Sequence, residues 1–402
     1  MKPLKILQIV PSISLVYGGP SQMVKGLSAA LAQQDCIAQV TVLTTDANGD
    51  IDESPLAVPL GKPVPQDGYE IIYFRCSPFR RYKFSPTLLS WLWQNAKHYD
   101  IAHIHALFSP VSTAAAAVCR QQQLPYIMRP LGTLDPADLQ KKKRVKQLYA
   151  ALLEKPNLAG AAAIHFTSRQ ESKVSERFGT HTPSLIIPLG VTPPALPKRS
   201  LAKAAIHQQF NISPERPIVL FMSRIDPKKG FDLLLPALEQ LHQQQCPFHL
   251  LLCGANPQDR AYETSIRAQI AASSWADQAT LNGFVSGELK AQSLSAADVF
   301  VLPSYYENFG IAVAEAMAAQ IPVVISDQVH IWPEIQSSRA GWVVPTETVA
   351  LTNALKTALS DRKERQQRGE NARQCAIENY SWQAIAQQIA HSYQAILSSA
   401  KP

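Results

Sequence analysis

Short apolar, β-branched runs alternate with segments of helical periodicity along nearly the whole chain. This is the pattern of parallel sheets covered by helices on both faces. In the first half it predicts strands at Leu4–Val10, Gln39–Thr45, Glu70–Phe74, Ile101–Leu107, Pro125–Met128, Ala163–Thr167 and Leu185–Pro188. A helix is expected over Pro20–Gln33, where Met23, Val24, Leu27, Ala30 and Leu31 recur at helical spacing. Pro193, Pro194 and Pro197, followed by Lys198 and Arg199, interrupt the pattern and read as a linker. The alternation then restarts with strands at Ile218–Met222, His249–Cys253, Val299–Pro303, Pro322–Ser326 and Trp342–Pro345, and helices at Asp232–Gln243 and Gly310–Ala319. Tyr380-Ser381-Trp382 reads as a break before a last amphipathic helix, Ile385–Leu397. The expectation is an α/β protein of two doubly wound, Rossmann-like domains, residues 1–197 and 198–381, with a terminal helix in 382–402. Ligands of such open sheets bind at the carboxyl ends of the strands, here in a cleft between the domains.

With 402 residues, 46% of them apolar, the chain can fill two cores. It has no apolar run of membrane-spanning length, and Met1-Lys2-Pro3-Leu4 leads into a core strand rather than a signal peptide. A cytoplasmic protein is expected. The six cysteines are scattered without a C-x-x-C, which predicts reduced thiols and no zinc site. A net charge of +7 suits an anionic partner: nucleic acid, an anionic membrane or a phosphorylated substrate.

Two segments narrow that choice. Ser304-Tyr305-Tyr306-Glu307-Asn308-Phe309-Gly310 runs from a buried strand into a helix, which aims backbone N–H groups and a positive helix end at a ligand. Glu307 and Glu315, eight residues apart, are ill suited to phosphate but suited to accept hydrogen bonds from sugar and ribose hydroxyls; helix capping by Glu307 and a solvated Glu315 fit the spacing equally. Upstream, Phe221 to Gly230 also runs from a strand into a helix, and its Arg224 and Lys229 can neutralise a departing diphosphate in place of a metal ion, or form a solvated basic turn.

Together these residues resemble the retaining GT-B glycosyltransferases of sequence family 4. The family's G-R-x-x-x-x-K-G is matched by Ser223-Arg224 through Lys229-Gly230, with Ser in place of the first Gly, and its E-x7-E by Glu307 and Glu315. Leu252-Cys253-Gly254, Asn282-Gly283-Phe284-Val285 and Ala296 to Ser304 match further. The resemblance implies that Arg224 and Lys229 bind the donor diphosphate with help from the backbone at Gly310 and Ile311. It implies that Glu307 holds donor-sugar hydroxyls, Glu315 the ribose, and Phe284 and Val285 the base, with Ser223, Gly254, Asn308 and Phe309 also along the donor. The last helix would cross back to the first domain. The nucleotide-diphosphate sugar would be a co-substrate, with no cofactor and no metal.

On the acceptor side, Gly18-Gly19-Pro20 opens a helix after the first strand, and the resemblance makes Gly18 and Gly19 the family's glycine loop. The G-x-G-x-x-G of nicotinamide binding is absent. His103 and His105 share one face of their strand, packed or, for His105, catalytic. Leu131 occupies the position where many relatives carry a His, so no general base is assigned. Lys141-Lys142-Lys143-Arg144-Val145-Lys146, leading into an apolar stripe of Val145, Leu148, Tyr149 and Leu152, and Phe79-Arg80-Arg81-Tyr82-Lys83-Phe84 fit peripheral contact with the anionic inner face of the plasma membrane, or a basic helix packing its apolar face. The function these features support is retaining transfer of a hexose to a glycan or lipid-linked glycan in surface-polysaccharide assembly. The alternatives are nucleotide-sugar epimerisation on the same fold and a basic nucleic-acid-binding protein. The last lacks a recognised module, so no nucleic-acid partner is expected.

Overall fold

The computed structural model describes the chain except residues 1, 15, 17–18, 50–53, 78–82, 136–138, 140–146, 192–196 and 400–402. It divides into two compact units, residues 1–190 with 382–402, and residues 191–381. The first boundary lies upstream of the expected one. Val191 already belongs to the second unit because its N–H donates to the carbonyl of Tyr380 at 2.8 Å. Most of the proline run, 193 and 194 included, lies outside the described residues.

In the first unit the strands are β1 (Leu4–Ile9), β2 (Ile37–Thr45), β3 (Pro63–Pro65), β4 (Glu70–Phe74), β5 (Ile101–His105), β6 (Tyr126–Arg129), β7 (Ala163–Phe166) and β8 (Ser184–Ile186). They form one sheet in the order β3-β4-β2-β1-β5-β6-β7-β8, parallel except for β3. β3 escapes sequence reading because two of its three residues are proline, which a strand tolerates only at an edge. Between the sheet and the helices Pro86–Asn95 and Pro110–Gln121 lies a continuous core that includes Leu7, Ile104, Leu88, Leu92, Val111 and Ala115. The last helix, Trp382–Ser399, packs on the helix Gly19–Ala32. Its seat is cut for an indole. A Cβ placed on Gly26 or Gly190 would lie 2.5 or 2.2 Å from ring atoms of Trp382.

The second unit has β9 (Ile218–Met222), β10 (His249–Cys253), β11 (Ala279–Gly283), β12 (Val299–Leu302), β13 (Val323–Ser326) and β14 (Gly341–Val344), all parallel, in the order β11-β10-β9-β12-β13-β14. β9, β10, β12 and β13 are buried at every residue, which is why they read as unbroken apolar runs. β11 is half-buried along its length and edges the sheet, so its mixed sequence carries no strand signal. Strand order reverses between β9 and β12. That switch point is where an open α/β sheet leaves room for a ligand beyond its carboxyl edge.

Candidate active site

The loops after β9 and β12 meet at the switch point. In the first, Asp226 Oδ1 accepts from the amide of Lys228 at 3.0 Å and starts the tight turn Pro227–Lys229. Gly230 ends that turn at φ 73° and precedes the helix Phe231–Gln243. A Cβ there would lie 2.1 Å from the carbonyl oxygen of Pro303, so only glycine lets the two loops touch. The amide of Tyr305 donates to the carbonyl of Lys228 at 2.8 Å and closes the junction. Gly254, at the end of β10, is as constrained: its Cβ would fall 1.9 Å from the carbonyl oxygen of Ser223. Asn256 Nδ2 then donates to the carbonyl of Ile225 at 2.9 Å, so the β10 loop braces the basic loop.

This bracing delivers Lys229 to Glu307. Their side chains form an ion pair and are mostly buried, 11% and 22% exposed. Glu307 is fixed through its backbone, donating to Gln328 O at 3.1 Å and accepting from the amide of His330 at 3.0 Å. The helix Ile311–Ala318 follows. It opens at Gly310 (φ 78°, ψ 61°) with no capping side chain and no acidic residue in its first turn, which leaves its amino end free to meet an anion. Glu315, one turn in, accepts from Lys290 Nζ at 2.6 Å. Each glutamate of the pair therefore meets a lysine. An ammonium has three donors and a carboxylate about four acceptor positions, so both pairs keep groups to spare for phosphate and hydroxyls.

Two family models match the chain: glycosyl transferase 4-like domain over residues 18–190 and glycosyl transferases group 1 over residues 202–375. The chain belongs to the family-4-type glycosyltransferases. It is 29% identical over 195 residues to an alpha-D-kanosaminyltransferase of Streptomyces kanamyceticus, covering 48% of this chain and 49% of that one. To a phosphatidyl-myo-inositol mannosyltransferase of Mycobacterium leprae it is 33% identical over 184 residues, covering 45% and 47%. The matches thus span about half the length of these curated relatives. An Anabaena protein solved in complex with UDP and glucose shares the fold at a TM-score of 0.73, with 20% identity over 98% of this chain and 100% of that one. The fold is the GT-B type, built from two Rossmann-like units.

The fold gathers some of the sequence-derived candidates and not others. Lys229, Glu307, Gly310 and Ile311 converge at the switch point, with Glu315 one turn along. Ser223 lies against Gly254, and Arg224 reaches Gln258 Oε1 at 3.5 Å from an exposed position. Phe284 is 82% exposed on the turn after β11, whereas Val285 is buried. Asn308 is half-buried. Phe309 needs correction as a donor contact: its ring is buried, edge-on to Tyr380 at 5.3 Å, and anchors the loop from beneath. Gly19 begins its helix, while Gly18, the basic run 141–146 and most of the 79–84 segment lie outside the described residues. Leu131 and Gly132 are both left-handed (φ 58° and 78°), and the Gly132 amide donates to buried Glu171 at 3.1 Å. Lys290 comes from another helix, Gly287–Ala296, and no local spacing in the sequence signals it.

His105 also needs correction. It is wholly buried and belongs to a closed hydrogen-bond chain inside the first unit, not to an open site. His165 Nε2 lies 2.8 Å from the carbonyl of Ile187, its Nδ1 3.1 Å from His103 Nε2, and His103 Nδ1 2.8 Å from the Tyr393 hydroxyl. Gln8 Nε2 donates to that hydroxyl at 3.1 Å, and Gln8 Oε1 lies 2.7 Å from His105 Nε2. Every link is satisfied when each histidine is neutral with its proton on Nε2, and only His105 Nδ1, at the end of the chain, has no hydrogen-bond partner among the described residues. Burial, followed by mutual repulsion and the nearby Arg129, holds His103 well below its ordinary range. Burial and Arg129 do the same to His105, and bring His165 down to about 3. Arg129 is itself buried, its Nε and Nη2 without hydrogen-bond partners among the described residues, and desolvation lowers it to about 10. Because these histidines are depressed relative to the unfolded chain, their stabilisation is complete above about pH 6.5 and lost as pH falls below it. Each costs about 1.4 kcal/mol per pH unit in that range. Between pH 7 and pH 5 the urea midpoint of the first unit should fall steeply, by the equivalent of about 6 kcal/mol for the three histidines together. A midpoint constant over that interval would show that the histidines are not neutral and buried.

Proposed function

We propose that the protein is a retaining hexosyltransferase that takes a nucleotide-diphosphate sugar as donor and a glycan or lipid-linked glycan as acceptor, in surface-polysaccharide assembly. The observation that carries this reading is the convergence of Lys229, Glu307 and the uncapped Ile311 helix at the sheet's switch point. The diphosphate lies at the helix end beside Lys229 and Arg224, which take the charge of the leaving group without a metal ion. Glu307 then holds sugar hydroxyls and Glu315 the ribose. The Anabaena neighbour's UDP and glucose support a sugar nucleotide, and the mannosyltransferase relative supports a lipid-linked acceptor.

The test is a thermal-shift and turnover screen against UDP-, GDP- and ADP-hexoses with and without glycan acceptors, followed by the anomeric configuration of the product. Stabilisation by one donor, acceptor-dependent release of nucleoside diphosphate and a retained anomer support the reading. Donor turnover without acceptor would replace transfer by epimerisation, and an inverted anomer would remove the retaining mechanism.

The acceptor reading includes contact with an anionic membrane. Leu148, Leu152 and Leu153, which follow the basic run in the sequence, are 63%, 65% and 46% exposed. Flotation with phosphatidylglycerol vesicles, lost on Leu148→Ser/Leu152→Ser, is the expected result. Flotation equal with neutral vesicles, or none at all, would exclude it. Among the described residues no helix is long and apolar enough to cross a membrane.

A further inference from the structure

The second unit carries a cavity of about 570 Å³ at the opposite edge of its sheet from the donor loops. Pro217, Asp298 and Pro322, which immediately precede β9, β12 and β13, form its floor. Four cationic side chains line it, Arg199, Lys203, Arg362 and Arg365, against two acids, Asp298 and Glu215.

Asp298 is already spent. Its carboxylate, 5% exposed, accepts from Lys203 Nζ at 2.7 and 3.0 Å, from Arg199 Nη2 at 3.4 Å and from the amide of Ile218 at 2.9 Å. Burial alone would raise its pKa, but Lys203, that amide and Arg199 together hold it below the usual carboxylate range. The remaining cations crowd one another. Arg365 donates to the carbonyls of Ala358 and Leu359 at 2.8 and 2.9 Å, and its guanidinium is lowered by desolvation and by Arg199 and Arg362, with Asp298 and Asp361 opposing. Arg362, exposed at the rim, makes no ion pair among the described residues.

Two helices start at this cavity. The helix Arg199–Gln209 contributes Arg199 and Ser200 from its first turn, and has neither a capping side chain nor an acidic residue there. The helix Arg362–Tyr380 contributes the side chains of Arg362, Arg365 and Gln366 from its first two turns; its own start is capped by Asp361, which accepts from the amide of Glu364 at 2.9 Å. The uncapped, acid-free start of the Arg199 helix and the cationic side chains around an open volume of ligand size are what a phosphate group requires.

We propose that this cavity is a second, separate binding site for a small phosphorylated molecule, a phosphomonoester or diphosphate on a polar body. The anion sits between the start of the Arg199 helix and the Arg362 side chain, and Ser200, Gln320 and Gln366 supply hydrogen bonds to its hydroxyls. Nothing in this site touches Lys229 or Glu307, so it stands or falls independently of the donor reading.

The experiment is calorimetric titration of the full chain with pyrophosphate and with glucose 6-phosphate. It is repeated on Arg362→Glu, on Ser200→Glu and on Lys229→Ala, each checked for native melting. Saturable binding that weakens at least about tenfold in both cavity variants, the loss of one charge-assisted hydrogen bond, and persists in Lys229→Ala is the expected result. Absence of binding by both probes overturns the proposal. So does binding that survives the cavity variants and disappears in Lys229→Ala, which would place the anion at the donor loop.

Discussion

Lys229→Ala should lower kcat for sugar transfer by about a hundred- to a thousand-fold, the range seen when one preorganised donor to a developing negative charge is removed. The loss has two parts. The leaving diphosphate loses a cation that the turn Pro227–Lys229 holds in place, and Glu307 is left as a mostly buried carboxylate without its counter-charge. KM for the donor should rise as well if, as proposed, the same ammonium meets the diphosphate in the ground state. Lys229→Arg should recover part of kcat, since it restores charge but not shape. Steady-state kinetics on variants that melt like the parent decide the matter; a Lys229→Ala enzyme within twofold of the parent would take Lys229 out of the chemistry.

The second large effect concerns the backbone. Gly230→Ala imposes a left-handed conformation on alanine and drives its Cβ to 2.1 Å from the Pro303 carbonyl oxygen. The first term costs about 1 to 2 kcal/mol, and the overlap between two rigid loops adds roughly 1 to 3 more. The melting temperature should fall by about 10 °C, and activity should fall beyond the loss of folded protein because Lys229 is displaced with the loop. Gly287→Ala is the control. It too is left-handed (φ 55°), but nothing lies within 4 Å of its added Cβ, so it should show the backbone cost alone. Equal destabilisation by the two substitutions, measured by differential scanning calorimetry, would mean that the contact with Pro303 is not tight.

Much of this molecule is legible in its sequence, for reasons tied to particular residues. β9 and β12 are fully buried in a parallel sheet, so they appear as unbroken apolar runs, and the loops after them carry Lys229-Gly230 and Glu307. The glycines at 230, 254 and 310 stand in the motifs, but why Gly254 must be glycine becomes visible only when the carbonyl of Ser223 lies against it. Lys290 is silent because its partner Glu315 is 25 residues away on another helix. His105 misleads because alternation along β5 fixes a face and not what covers it. Tyr393, from a helix nearly three hundred residues later, closes over His103 and seals the network. Phe309 misleads similarly: lying within a segment whose sequence reads as ligand-binding, it faces the core that supports the segment.

The central claim is that a nucleoside diphosphate binds at the switch point of the second unit, between Lys229 and the start of the Ile311 helix. Calorimetric titration of UDP, GDP and ADP into the parent and into Lys229→Ala tests it most directly. One of the three should bind the parent saturably and at least about tenfold more weakly to the variant, the loss of one charge-assisted hydrogen bond. Equal affinity for parent and variant, or no binding of any of the three to the parent, would contradict the account.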